Sequence, residues 1–129
     1  MLNKLKKISG YSETKYVDSY ELFIEDIKSI KNILIYAKKN NMNICCKGGG
    51  YSYGDIITNK DNIVLNLSKL NRILEYNKER GLITVEPGVT IAQIIELVLK
   101  DNWTMSANPG SFEVTIGGAV SNNIHGKDS

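Results

Sequence analysis

A chain of 129 residues, 42% hydrophobic and 23% charged, has the length of one domain and the composition of an ordinary globular protein. Its sixteen basic residues are scattered and offset by fourteen acidic ones, leaving a net charge of +2, which argues against a nucleic-acid binder. The two cysteines, Cys45 and Cys46, are adjacent and would point to opposite faces of a strand, so no disulfide framework is legible and a reducing, cytoplasmic setting is expected, with peripheral membrane association left open. No apolar h-region follows the basic N-terminus, and no stretch is long and apolar enough to span a bilayer.

Residues 1–20 are polar, and Tyr11, Tyr16, Val17 and Tyr20 fit either a short strand or an arm. From about Asp26 the pattern is helical: Ile27, Ile30, Leu34 and Ala37 recur at helix spacing between lysines, and Asn40-Asn41 ends the run. Asn43 to Cys46 reads as a short buried strand and Ile63 to Leu67 as a second. Another is expected around Ile73-Leu74, and one more over Leu82 to Val85 after the turn at Glu79-Arg80-Gly81. Pro87-Gly88 turns the chain into a helix that Thr90 caps, with Gln93 completing a capping box. Its apolar residues Ile91, Ile94, Ile95 and Val98, widened by Leu97 and Leu99, predict burial on most sides. Strands and helices in this order give an α/β or α+β organisation.

Two glycine-rich stretches, far apart in the chain, stand out. The first is Lys47-Gly48-Gly49-Gly50-Tyr51-Ser52-Tyr53-Gly54-Asp55, which follows a predicted strand. The second runs from Pro109-Gly110 through Thr115-Ile116-Gly117-Gly118. Glycine lets a backbone approach a ligand closely, and successive N–H groups in such turns form a concavity suited to phosphate. The first stretch does not fit the dinucleotide fingerprint, because Tyr53 occupies the third glycine position and no helix pattern follows. Nor does it place Lys-Ser or Lys-Thr as a P-loop does. Each stretch alone reads equally as a tight turn, bulge or hairpin. Together they could hold a diphosphate from both sides.

In order and without large gaps, residues 26–128 resemble the FAD-binding domain of the vanillyl-alcohol oxidase or p-cresol methylhydroxylase (PCMH) type. The residues behind the resemblance are Lys47-Gly48-Gly49-Gly50-Tyr51-Ser52, Leu65-Asn66-Leu67-Ser68-Lys69-Leu70, Val85-Glu86-Pro87-Gly88, Pro109-Gly110, and Thr115-Ile116-Gly117-Gly118 through His125-Gly126. Within that family Ser52-Tyr53-Gly54-Asp55, Ile124-His125-Gly126-Lys127 and Gly10-Tyr11 look most like the decaprenylphosphoryl-ribose oxidase group and its sugar-oxidising relatives.

The resemblance implies an α+β fold: a small parallel-strand α/β lobe over about 10–88 and the start of a second α+β lobe over 89–129. The chain is then expected to be an N-terminal piece of a longer protein whose substrate domain lies after it. Lys47 to Ile56 would wrap the FAD diphosphate. Gly110, Thr115, Ile116, Gly117, Gly118 and Asn122, Asn123, Ile124 and His125 would line the other side and approach the flavin.

Three departures qualify the resemblance. Tyr51 stands where many relatives have a histidine bonded to the flavin, so non-covalent FAD is expected. Lys47 replaces the usual arginine and loses its planar fork. The proline before the first helix is missing.

The implied activity is oxidation of a C–H bond beside a hydroxyl in a sugar-, lactone- or polyol-like substrate. The catalytic base is expected outside this piece, which alone would be inactive, and no metal site is expected. His125, the single histidine, is expected to touch FAD rather than act as a base. Cys45 and Cys46 are expected to be buried, Trp103 to pack behind the second glycine stretch, and Asp55 to brace its loop through its side chain. A UDP-N-acetylenolpyruvoylglucosamine reductase, which has a similar glycine layout, and a non-enzymatic binding module remain as alternatives.

Overall fold

A computed structural model describes Leu2 and residues 4–126. It begins with a β-hairpin, β1 (Lys6–Ser9) and β2 (Tyr16–Phe23), which resolves the strand-or-arm ambiguity of the first twenty residues. Helix α1 (Ile27–Lys39) follows, capped by the Asp26 side chain, which accepts from the Lys28 N–H. Strands β3 (Ile44–Lys47) and β4 (Ile63–Asn66) come next. The four strands form one sheet in the order β1-β2-β4-β3, with β4 parallel to both β2 and β3.

The central strand explains the β-branched, apolar sequence at Ile63-Val64: all four residues of β4 are buried. Ile33 and Ala37 of α1 pack with Ile24, Ile63, Leu65 and Leu70 to form the first core cluster. The outer strand β3 is less buried than its sequence predicts. Cys45 is half-buried and Cys46 exposed, because β3 has a neighbour on one side only.

β5 (Ile73–Asn77) and β6 (Leu82–Val85) form a separate antiparallel hairpin with a register shift between Ile73 and Glu75. It contributes Tyr76, Ile83 and Val85 to a second cluster around Val89, Ile94 and Val98 of helix α2 (Ile91–Val98). The Thr90–Gln93 capping box is present. Burial of α2 is one-sided rather than general. Gln93 and Glu96 face out, and Leu99 begins a separate 3-10 turn (Leu99–Asp101) with its side chain 60% exposed. The architecture is the expected mixed α+β one.

Trp103 departs from expectation. Its ring lies over Gly81 in the β5–β6 turn, about where a Cβ would meet it at 2.9 Å, and its Nε1 donates to the Lys78 carbonyl at 2.7 Å. It therefore packs on that turn and not behind the second glycine stretch.

Candidate functional site

Strand β3 delivers the chain into the first glycine stretch at the open end of the parallel pair. None of the backbone N–H groups from Gly48 to Asp55 finds a hydrogen-bond partner among the described residues. Such a run of free donors needs water or an acceptor. Gly50 supplies a left-handed kink, φ +81°, that a side chain would strain.

The second stretch is built differently. Val114 and Phe112 accept through their carbonyls from the Ile91 and Ala92 N–H groups at 3.0 and 2.8 Å, which docks the stretch on the start of α2. Thr115 and Thr90 form a bridge. Thr115 then caps a short helix, α3 (Ile116–Ser121), its Oγ1 accepting from the Gly118 N–H. Gly117 and Gly118 are therefore the first turn of a helix rather than a bulge or hairpin. A Cβ on Gly117 would lie 2.7 Å from Pro87 Cβ, and its N–H donates to the Pro87 carbonyl at 2.8 Å.

The two stretches meet. A Cβ on Gly48 would collide with Thr115 Oγ1, and one on Gly49 would lie 2.9 Å from the Glu113 carbonyl oxygen. Between them opens a cleft of about 930 Å³, at the upper end of the range for small-molecule sites. Every expected site residue lines it except Lys47, Asp55 and Ile116.

Each exception has a physical reason. Lys47 Nζ is engaged by Glu21 Oε1 at 3.2 Å, two strands away across β4. Burial pushes the Glu21 carboxyl up, but the Asn66 amide at 2.8 Å and the Lys47 charge outweigh this and hold it below the usual range. The Asp55 carbonyl, rather than its carboxylate, braces the loop, accepting from the Thr58 N–H and Oγ1 at 2.9 and 2.7 Å. Ile116 turns into the second core cluster. His125 lines the cleft and is exposed.

The sequence reading did not place Tyr11, Cys46, Leu67 or Pro87 on the cleft, yet all four line it. Three of them left a trace: Pro87 stands in the turn before the capped helix, Tyr11 belongs to the Gly-Tyr pair, and Leu67 lies in the Leu65-to-Leu70 run behind the resemblance.

The stretch matched by the FAD binding domain family is residues 19–129, most of the chain. This chain belongs to that family. As an FAD binding domain it takes FAD as its cofactor, and the donor set fits: adjacent free amides on one wall and glycines admitting close approach on both. The chain is 29% identical to decaprenylphosphoryl-beta-D-ribose oxidase of Mycolicibacterium smegmatis over 124 residues, 95% of this chain and 27% of that one. Over 122 residues it is 31% identical to L-gulonolactone oxidase of Scyliorhinus torazame, 90% of this chain and 28% of the relative. The chain thus spans about a quarter of the length of these relatives.

A solved alkyldihydroxyacetonephosphate synthase superposes with a TM-score of 0.71 at 18% identity, covering 84% of this chain and 23% of that one. It shares the fold, that of the PCMH-type FAD-binding domain. No helix among the described residues is long and apolar enough to cross a membrane.

Proposed function

We propose that this FAD binding domain serves an oxidoreductase that takes hydride from a C–H bond beside a hydroxyl in a sugar-, lactone- or polyol-like substrate. One observation supports the reading above all others: the two glycine stretches converge on a single cleft whose first wall is a row of unpaired amides. The names of the relatives, a ribose derivative oxidase and a lactone oxidase, favour the substrate class.

FAD, when bound, accepts the hydride. The protein's part is to hold and orient it. The amides from Gly48 to Gly54 would donate to the diphosphate. Gly110, Thr115, Gly117 and Gly118 shape the facing wall. Asn122, Asn123, Ile124 and His125, all on the cleft, approach the flavin. No group among the described residues is assigned as the base for the substrate hydroxyl. Tyr51 lacks the imidazole that bonds flavin in relatives, so the cofactor is held without a covalent bond. Cys45 and Cys46 remain thiols, as suits the cytoplasm.

Gly118→Val in the full-length protein tests the site. A Cβ there meets only Thr115 Oγ1, at 3.1 Å, so the added bulk enters the cleft with little effect on the core. The variant should purify with little or no flavin. Unchanged flavin content would remove the assignment. Acid precipitation of the wild-type protein should release all its flavin, and yellow colour left in the pellet would contradict the reading of Tyr51.

A further inference from the structure

The first glycine stretch is held by the tip of the N-terminal hairpin, which reaches the cleft only through Tyr11. That tip, residues 10–15 between β1 and β2, precedes the stretch matched by the family, 19–129. Three contacts tie it to the loop. The Tyr11 N–H donates to the Ser52 carbonyl at 3.1 Å. Ser12 Oγ donates to the Tyr53 carbonyl at 2.9 Å. The Gly54 carbonyl oxygen packs against Gly10, 2.5 Å from where a Cβ on that residue would be. The Tyr11 ring lies against both loop tyrosines, 5.5 Å from the Tyr51 centroid and 5.7 Å from that of Tyr53, the latter edge-on.

The contacts share one consequence. Across a trans peptide the C=O and the following N–H point in opposite directions. Three successive carbonyls, those of Ser52, Tyr53 and Gly54, are turned to the hairpin tip. The N–H groups of Tyr53, Gly54 and Asp55 are therefore turned away from it. These belong to the unpaired row, and Tyr53 and Gly54 line the cleft. The tip itself is anchored to the sheet: β2 pairs with β4, Ser19 Oγ donates to the Asn59 carbonyl at 2.9 Å, and the Asp61 N–H donates to that of Asp18 at 2.8 Å.

We infer that the hairpin tip is a working part of the cofactor site: Gly10, Tyr11 and Ser12 are positioning residues that hold the loop so that the Tyr53 and Gly54 amides are oriented to receive FAD. The inference rests on the reading of the cleft as the FAD site. Without the tip, these peptide planes are free to rotate, and FAD must order them on binding, which weakens it.

The test uses the full-length protein, stripped reversibly of FAD and titrated with it by flavin fluorescence, beside thermal unfolding of the apoprotein. Gly10→Ala, which puts a methyl on the Gly54 carbonyl, should raise the FAD Kd about tenfold. Ser12→Ala should raise it about threefold, and Ser12→Thr, which keeps a hydroxyl, should restore most of that. Tyr11→Phe should stay within about twofold, since the ring and backbone rather than the phenol make the contacts. Apoprotein melting should move by no more than about 2 °C in the serine pair.

If Gly10→Ala does not fold, the Ser12 pair decides. Wild-type affinity in both Gly10→Ala and Ser12→Ala, with flavin lost in Gly118→Val, overturns the role of the hairpin and leaves the cleft assignment standing. A Ser12→Thr protein as weak as Ser12→Ala, or affinity losses matched by apoprotein destabilisation, also overturns it. A wild-type protein that takes up no FAD overturns both.

Discussion

The two glycine-rich stretches look alike in sequence and use glycine for opposite purposes. From Gly48 to Asp55 the amides have no partners among the described residues, and the loop is held by its carbonyls. At Gly117 and Gly118 the amides are already engaged, by the Pro87 carbonyl and by Thr115 Oγ1. The first stretch presents donors, and glycine keeps side chains from shielding them. The second presents a surface, and glycine lets a helix start within contact distance of Pro87. A glycine motif is thus no evidence of phosphate donors until its N–H groups are accounted for.

The comparison breaks most visibly at Gly117. A valine there drives a branched side chain into Pro87, and overpacking of this kind costs about 1–3 kcal/mol. Gly117→Val should lower the melting temperature of the apoprotein as well as empty it of flavin. Loss of flavin with unchanged melting would mean that Gly117 faces the ligand, as Gly118 does, and the two uses of glycine would merge.

Pro87 is itself held by its neighbour Glu86, which is only 3% exposed. The Glu86 carboxylate accepts from the Arg72 N–H at 2.8 Å and from its guanidinium at 3.1 and 2.7 Å. The guanidinium first, and the backbone N–H after it, hold the Glu86 carboxyl below its ordinary 4.5. A depressed folded-state value contributes stability that is complete above the unfolded value and is lost as pH falls through the folded one. Wild-type protein should therefore lose melting temperature below about pH 4.5 more steeply than Glu86→Gln, whose amide does not titrate in this range. Parallel curves would show that the pair does not support the second wall.

A smaller change is expected at Gly50, the left-handed position of the first stretch. A Cβ there meets only Lys47 Cε at 3.6 Å, so Gly50→Ala meets strain and no collision. The cost is about 1 kcal/mol of stability, measurable by denaturant unfolding of the apoprotein. A loss several times larger would mean that the first stretch is packed as tightly as the second.

Much of this arrangement was legible because local rules agreed with the fold. Thr90 and Gln93 formed their capping box, and the Asp26-to-Asn40 periodicity became α1. The apolar run at Ile63 became the buried central strand. What failed was information that only pairing supplies. Cys46 is apolar by type, but β3 lies at a sheet edge, and an edge leaves one flank bare. Lys47 has the charge a diphosphate wants, yet the register that sets β2, β4 and β3 side by side brings it to Glu21. Gly117-Gly118 has poor helix propensity and begins a helix because Thr115 caps it and Pro87 accepts its first amide. Tyr11 is distant in sequence from the first stretch, and only the β1–β2 hairpin brings it there.

The smallest effect is expected where the first stretch is most open. A Cβ on Gly54 meets nothing within 4 Å, and the residue lies outside the positive-φ region. Gly54→Ala should leave apoprotein stability within about 0.5 kcal/mol, the range of an ordinary surface change. Since the loop contributes amides, and alanine keeps its amide, the FAD Kd should change by less than about threefold. A large loss of affinity with unchanged stability would show that the ligand closes on Gly54 itself. The first stretch would then combine donors with close approach, whereas tolerance of the methyl would leave its N–H groups, and the carbonyls that aim them, as its contribution to the site.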